Sequence, residues 1–179
     1  NQMTLFLPVA CPGSGKSTLA AHMVSNDFIS EDAVVSPDRY REILTNDRTN
    51  QKCNKTVFEI VDRIVDSRIL HGLDVYLDGT NLNAKLRNRL LNRVTALSYD
   101  FSLEIVMLVS DAPRSLVERR NLDRQFPVPQ DVFDRFWKEA EAFDGHKYKA
   151  YGARIITFSG MYEEMYGIPD YEIYTEELM

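Results

Sequence analysis

Leu5-Phe6-Leu7-Pro8-Val9-Ala10-Cys11-Pro12-Gly13-Ser14-Gly15-Lys16-Ser17-Thr18 is the stretch that decides the fold. An apolar run of strand length stops at a glycine-rich turn, and a helical segment starts near Lys16 and runs towards Ser25. Gly13 and Gly15 let the backbone curl around an anion with successive N–H groups pointing inward, and the helix that follows adds the positive end of its dipole. In that setting Lys16 reaches the β- and γ-phosphates of a nucleotide and the Ser17 hydroxyl is placed to ligate Mg2+. The reading is a P-loop, with Gly13, Ser14, Gly15, Lys16, Ser17 and Thr18 as candidate ATP-binding residues. Ala10 stands where the usual pattern has its first glycine, at a position that needs a small residue more than a flexible one. Pro8 is the misfit, because a proline in a central strand cannot donate to the ladder. Cys11 is read as a packing residue.

Outward from this loop, strands and helices alternate. Ala33-Val34-Val35 reads as a second strand ending at Ser36-Pro37, where Ser36 is an N-cap and Pro37 opens a helix. A helix over 54–70 carries Val57, Val61, Ile64 and Val65 on one stripe and stops at Gly72. Val75-Tyr76-Leu77 is a third strand, running into Asp78-Gly79-Thr80-Asn81. A helix over 84–97, a strand over 103–109 and a helix from Pro113 to about Arg120 follow. A charged, proline-containing loop then leads to a helix with Val132, Phe133, Phe136, Trp137, Ala140 and Phe143 at helical spacing, which favours packing over stacking on bases. Ile155-Ile156-Thr157-Phe158 reads as the last strand. The expectation is an α/β domain spanning 1–179 with a roughly five-stranded parallel sheet flanked by helices. Residues 120–143 would form a helical lid, and the acidic, tyrosine-rich tail 159–179 has no clear periodicity. That tail is left either to pack on the domain or to mediate a homo-oligomer.

Composition narrows the function classes. Hydrophobic residues make up 44% of 179 and charged residues 27%, with no run of membrane-span length and no basic-then-apolar leader; Met3 is read as the natural start. No membrane partner is expected. The net charge of −6 excludes a protein that grips nucleic acid over a long stretch, so any such contact must be local. Two cysteines, one in the loop and one at a helix start, do not make a disulfide framework, and a reducing cytoplasm fits. His22, His71 and His146 lack metal-ligand spacing.

Phosphoryl transfer to an alcohol needs a proton acceptor and positive charge around the moving group. Asp38 and Arg41 lie three apart in the first turn of a helix that follows the second strand, and so share a face at the ligand-binding edge of the sheet. An ordinary helix-start Asp beside a solvated Arg has the same pattern. Asp78, at the end of an apolar strand, is placed to orient Mg2+ through water or to hold the P-loop. Arg120 and Arg124 share a face if their helix persists, as lid arginines or as a helix end enriched in Arg by its dipole. Asn54-Lys55 is followed by Thr56-Val57, not by the Asp that reads guanine in regulatory GTPases. Tyr76 stands where a haloacid-dehalogenase phosphatase has its nucleophilic carboxylate, which rejects that reaction.

Four stretches in order, C-P-G-S-G-K-S-T at 11–18, D-R-Y-R at 38–41, D-G-T-N-L-N at 78–83 and R-N-L-D-R-Q-F-P-V-P at 120–129, together resemble the phage-type polynucleotide 5′-kinases, whose kinase domains also occur in bacterial RNA-repair proteins. The likeness covers about residues 4–143. It implies ATP and Mg2+ as cofactors and the 5′-hydroxyl ends of DNA or RNA, contacted locally, as acceptor, in the host cytoplasm if phage-encoded. Asp38 would be the general base, Arg41 would contact the transferring phosphate, and Arg124, with Arg120 as a second lid residue, would act on the ATP phosphates. Some relatives place the Asp directly before Thr-Asn, where this chain has Gly79. Many carry a phosphatase or ligase domain that is not found here, so a kinase-only protein or a fragment is expected. The rival enzyme reading is a kinase of a small-molecule alcohol, a nucleoside, sugar or nucleotide sugar. The rival from another class is an ATP-binding regulatory module without turnover, which needs no base at Asp38.

Overall fold

Five strands, β1 (Gln2–Val9), β2 (Val34–Val35), β3 (Val75–Leu77), β4 (Ser102–Val109) and β5 (Arg154–Thr157), pair in the order β2-β3-β1-β4-β5. Every pairing is parallel. The computed structural model describes residues 2–167. Seven α-helices are described: α1 (Lys16–Ser25), α2 (Pro37–Thr45), α3 (Asn54–Leu70), α4 (Ala84–Leu97), α5 (Arg114–Asp123), α6 (Gln130–Ala142) and α7 (Phe158–Tyr166). Leu5 to Val9 are buried without interruption, as a strand covered on both faces requires. The helices cover the sheet with apolar stripes such as Val57, Val61, Val65 and Ile69 of α3, all buried. Among the described residues no helix is long and apolar enough to cross a membrane.

Pro8 fits the central strand because its polar edge faces no ladder. β1 pairs with β4 from Gln2 to Val9, but with β3 only at Leu5↔Val75 and Phe6↔Tyr76. The Pro8 carbonyl points to the β3 side beyond that short pairing and accepts from Asn81 Nδ2 at 2.8 Å. In a parallel strand a residue's N–H points the same way as its C=O, so the missing donor would have found no strand partner.

The last strand is displaced by one residue from the expected 155–158, running from Arg154 to Thr157. Phe158 belongs to α7, whose N-cap Thr157 accepts from Gly160 N with its side chain. Phe158, Met161 and Tyr162 are buried at helical spacing, so the start of the tail is a packed helix. Residues 168–179 of that tail lie outside the described residues. Ser36 and Cys53 sit at the N-caps of α2 and α3, each without a side-chain capping bond.

Candidate active site

Strand order brings the sequence candidates to one edge. The P-loop leaves β1, Asp78 leaves β3 and the helix bearing Asp38 leaves β2, and these three strands are neighbours. Ligands bind at this carboxyl edge in open parallel sheets.

Gly13 and Gly15 have φ of +87° and +90°. A Cβ on Gly13 would lie 2.6 Å from the Val117 carbonyl oxygen and 2.9 Å from Asn121 N, so the loop turns directly against α5. Gly15 is the N-cap of α1, and with no side chain it leaves the first-turn N–H groups to a ligand. Ser14 Oγ is buried in the loop with no hydrogen-bond partner among the described residues, an orphan hydroxyl that suits a bound phosphate. Lys16 Nζ donates to Cys11 O at 2.8 Å and Ala10 O at 3.3 Å. Burial pushes this ammonium down to about 8, against the pull of Asp78; Arg124 lowers it further and Asp38 raises it. Residues from three distant segments thus act on one lysine. Burial pushes the Cys11 thiol up to about 11, which leaves it an inert packing group.

Ser17 Oγ donates to Asp78 Oδ2 at 2.8 Å. Burial raises the Asp78 carboxyl above its usual range, opposed by the Ser17 bond and by Lys16. No group of three or more His, Cys, Asp or Glu side chains that could hold a metal occurs among the described residues. A hydroxyl and one carboxylate still fit Mg2+, which keeps waters and takes one or two protein ligands beside substrate phosphates. Gly79 is not demanded by geometry, since a Cβ there would meet only the Asn81 side chain at 3.9 Å. The left-handed residue of this turn is Asn81, at φ +50°. Its Nδ2 donates to the carbonyls of Pro8, Leu77 and Gly79, while Ala10 N donates to Thr80 O, so the turn is stitched to the P-loop.

Asp38 is half-exposed at the start of α2. Arg41 Nη1 donates to its Oδ1 at 2.8 Å, and Arg48 Nη2 lies 3.9 Å from Oδ2. Arg41 is 7% exposed; its Nε donates to Asn54 Oδ1 at 3.0 Å and its Cζ lies 5.7 Å from the Phe58 ring centroid. Its guanidinium is therefore held beneath Asp38. Asn54 was not legible in the sequence, because nothing local marks a partner thirteen residues away.

Arg120 and Arg124 part company. α5 ends at Asp123, and Arg124 is its extended C-cap, exposed, while Arg120 is buried in the helix. Asn121, also missed in the sequence, brackets the loop between them and α6: its Nδ2 donates to Val128 O and its Oδ1 accepts from Val128 N, both at 3.1 Å. Phe133 is buried and stacks on Trp137 at 6.2 Å, and Arg114 lies over both rings while pairing with Glu118 and Asp134. Phe133 belongs to the core and Trp137 packs against it, so these aromatics fix α6 to the domain.

The model of a family described as AAA domain matches residues 5–143, which is more than half of the chain. The chain belongs to this AAA-domain family. Two solved structures share the fold of this AAA domain. A gluconokinase from Sinorhizobium meliloti matches at 10% identity and a TM-score of 0.51, over 98% of this chain and 97% of that one. A shikimate kinase from Bacteroides thetaiotaomicron matches at 13% identity and a TM-score of 0.51, over 87% and 86%. No curated protein matches. The fold is that of P-loop kinases.

Proposed function

We propose that this protein transfers the γ-phosphoryl group of ATP to the hydroxyl of an alcohol. The observation that carries the reading is the convergence of a donor side, Lys16 with Ser17 and Asp78, and an acceptor side, Asp38 held by Arg41, at one edge of the sheet. A regulatory module would need no carboxylate fixed opposite the phosphate loop. The P-loop backbone, Ser14 and Lys16 bind the ATP phosphates, and Ser17 with Asp78 would hold Mg2+, which supplies charge neutralisation at the β- and γ-oxygens. Asp38 accepts the proton of the acceptor hydroxyl as the oxygen–phosphorus bond forms and the bond to the β-phosphate oxygen breaks, releasing ADP. Arg41 orients the carboxylate, and Arg124 approaches from the lid as charge develops on the phosphoryl group.

For the acceptor, a small-molecule alcohol is the first reading. Both solved neighbours bear the names of small-molecule kinases, and the net charge of −6 disfavours a long polyanion. The second reading, a polynucleotide 5′-hydroxyl end, rests on the Asp38-Arg41 and Arg120-Arg124 motif set and on local charge. Over residues 38–55 the five cations Arg39, Arg41, Arg48, Lys52 and Lys55 outnumber Asp38, Glu42 and Asp47, a basic stretch in an acidic chain, and Arg41 and Arg48 lie against Asp38. Labelled ATP offered with Mg2+ to sugars, nucleosides, nucleotide sugars and short 5′-hydroxyl oligonucleotides separates the two. Preference for a sugar or free nucleoside establishes the first; preference for a nucleoside 3′-phosphate and short oligonucleotides, with shallow salt dependence, establishes the second. No transfer to any hydroxyl, with ATP bound, would return the protein to the regulatory class.

A further inference from the structure

Arg87 is an arginine that the reaction just described does not use. It lies on α4, 6% exposed, and no carboxylate among the described residues pairs with it. Burying a guanidinium is costly unless its donors and its charge are satisfied. Here Nη1 donates to Asn81 O at 2.7 Å and Nε to Tyr148 Oη at 2.8 Å. Its Cζ lies 4.9 Å from the Phe143 ring centroid and 5.2 Å from that of Tyr148, and the two rings stack on each other at 5.7 Å. Tyr148 Oη in turn donates to Asn88 Oδ1, one residue along α4.

The two ends of this arrangement belong to different functional parts. Phe143 is the C-cap of α6, and Tyr148 sits in the 3-10 turn Gly145–Tyr151 just beyond it, so both form the root of the lid. Asn81 is the strained corner of the turn that carries Asp78; its side-chain amide donates to Pro8 O and the Thr80 carbonyl accepts from Ala10 N, which fastens that turn to the entrance of the P-loop. One buried cation therefore joins the lid root to the turn that aims Asp78 at Ser17. A lysine could not replace it, because a point charge lacks the planar fork that reaches Asn81 and Tyr148 at once.

We propose that Arg87 is a positioning residue that sets the orientation of Asp78 from the root of the lid. This rests on the kinase reading of the site. The test measures binding of a fluorescent ATP analogue with and without Mg2+, together with turnover and thermal unfolding, for wild type, Arg87→Lys, Tyr148→Phe and Asp78→Asn. In Arg87→Lys the gain in nucleotide affinity on adding Mg2+ should shrink by roughly 10–100-fold, the range for partners that orient a metal ligand, with metal-free affinity unchanged. In the Asp78→Asn background Arg87→Lys should change nothing further. Tyr148→Phe keeps the ring and removes one hydrogen bond, so it should shift the Mg2+ response in the same direction by less, and it stands in if Arg87→Lys does not fold. A wild-type Mg2+ response in both variants, or losses at 87 and 78 that multiply, overturns the proposal while leaving the kinase site intact. Absence of nucleotide binding in the wild type removes both.

Discussion

Arg41 lies one helical turn from Asp38 with Nη1 2.8 Å from Oδ1, and its Nε reaches Asn54 on the next helix. The Asp38 carboxylate is thus held by a buried arginine that is itself held from a second element. Such an arginine fixes the direction of a lone pair more firmly than a solvated one. Arg41→Lys can satisfy Asp38 or Asn54 but not both. Turnover should fall by roughly 10²-fold, the cost of misplacing a reacting group, with ATP affinity unchanged. Steady-state kinetics beside nucleotide titration reads both quantities. Wild-type turnover in Arg41→Lys would show that Asp38 needs no such support.

A larger effect is expected at Arg124. Arg124 is exposed at the end of α5, yet its charge bears on both Lys16 and Asp78. Arg124→Ala should reduce turnover by roughly 10³–10⁵, as for arginine fingers, and Arg124→Lys should restore little of it. A fully active alanine variant would make Arg124 an ordinary helix-end charge.

Lys16 makes nucleotide binding pH-dependent. Its ammonium titrates at about 8 in the folded chain, against 10.5 ordinarily, because burial disfavours the charged form. Above about 8 the free protein must take up a proton to bind ATP, so apparent affinity should weaken by up to about tenfold per pH unit. The sign for stability is opposite: between about 8 and 10.5 the unfolded chain holds a proton that the native chain has lost, so the penalty of burying Lys16 fades as pH rises. Lys16→Met should abolish the pH dependence of ATP affinity. A wild-type affinity that stays flat across that window contradicts the geometry of the loop.

Gly13 and Gly15 share a left-handed φ but not a neighbourhood. A Cβ on Gly13 would strike backbone of α5, whereas one on Gly15 meets nothing within 4 Å. Both alanine variants carry strain of about 1–3 kcal/mol; Gly13→Ala adds the clash and should show the lower Tm. Equal melting points would mean that the loop does not lie against α5.

Much of this was readable in the sequence, for identifiable reasons. Strands buried on both faces and amphipathic helices announce themselves by local pattern, and so does a glycine-rich turn followed by lysine. All five strands lie at the expected apolar runs, with their ends displaced by at most three residues. Pro8 looked wrong only because a sequence does not say on which side β3 stops. The helix α7 was hidden because Phe158 reads naturally as the end of an apolar strand, although Thr157 is a sound N-cap. Arg87 and Asn121 were invisible for a different reason: their partners, Tyr148 and Val128, are set by how the chain after α5 folds back, and no spacing rule reports that. That Arg41 shares a helix face with Asp38 was legible, but its burial against Asn54 and Phe58 was not.

The central claim is that Asp38 serves the acceptor and not the nucleotide. Transfer of label from γ-labelled ATP to the best acceptor, measured for wild type and Asp38→Asn alongside ATP affinity, tests it most directly. Asparagine keeps the shape and removes the proton acceptor. The account predicts a loss of roughly 10²–10⁴ in transfer rate, the usual worth of a general base, with ATP affinity unaltered. Transfer at the wild-type rate, or an equal loss of ATP affinity, would contradict it.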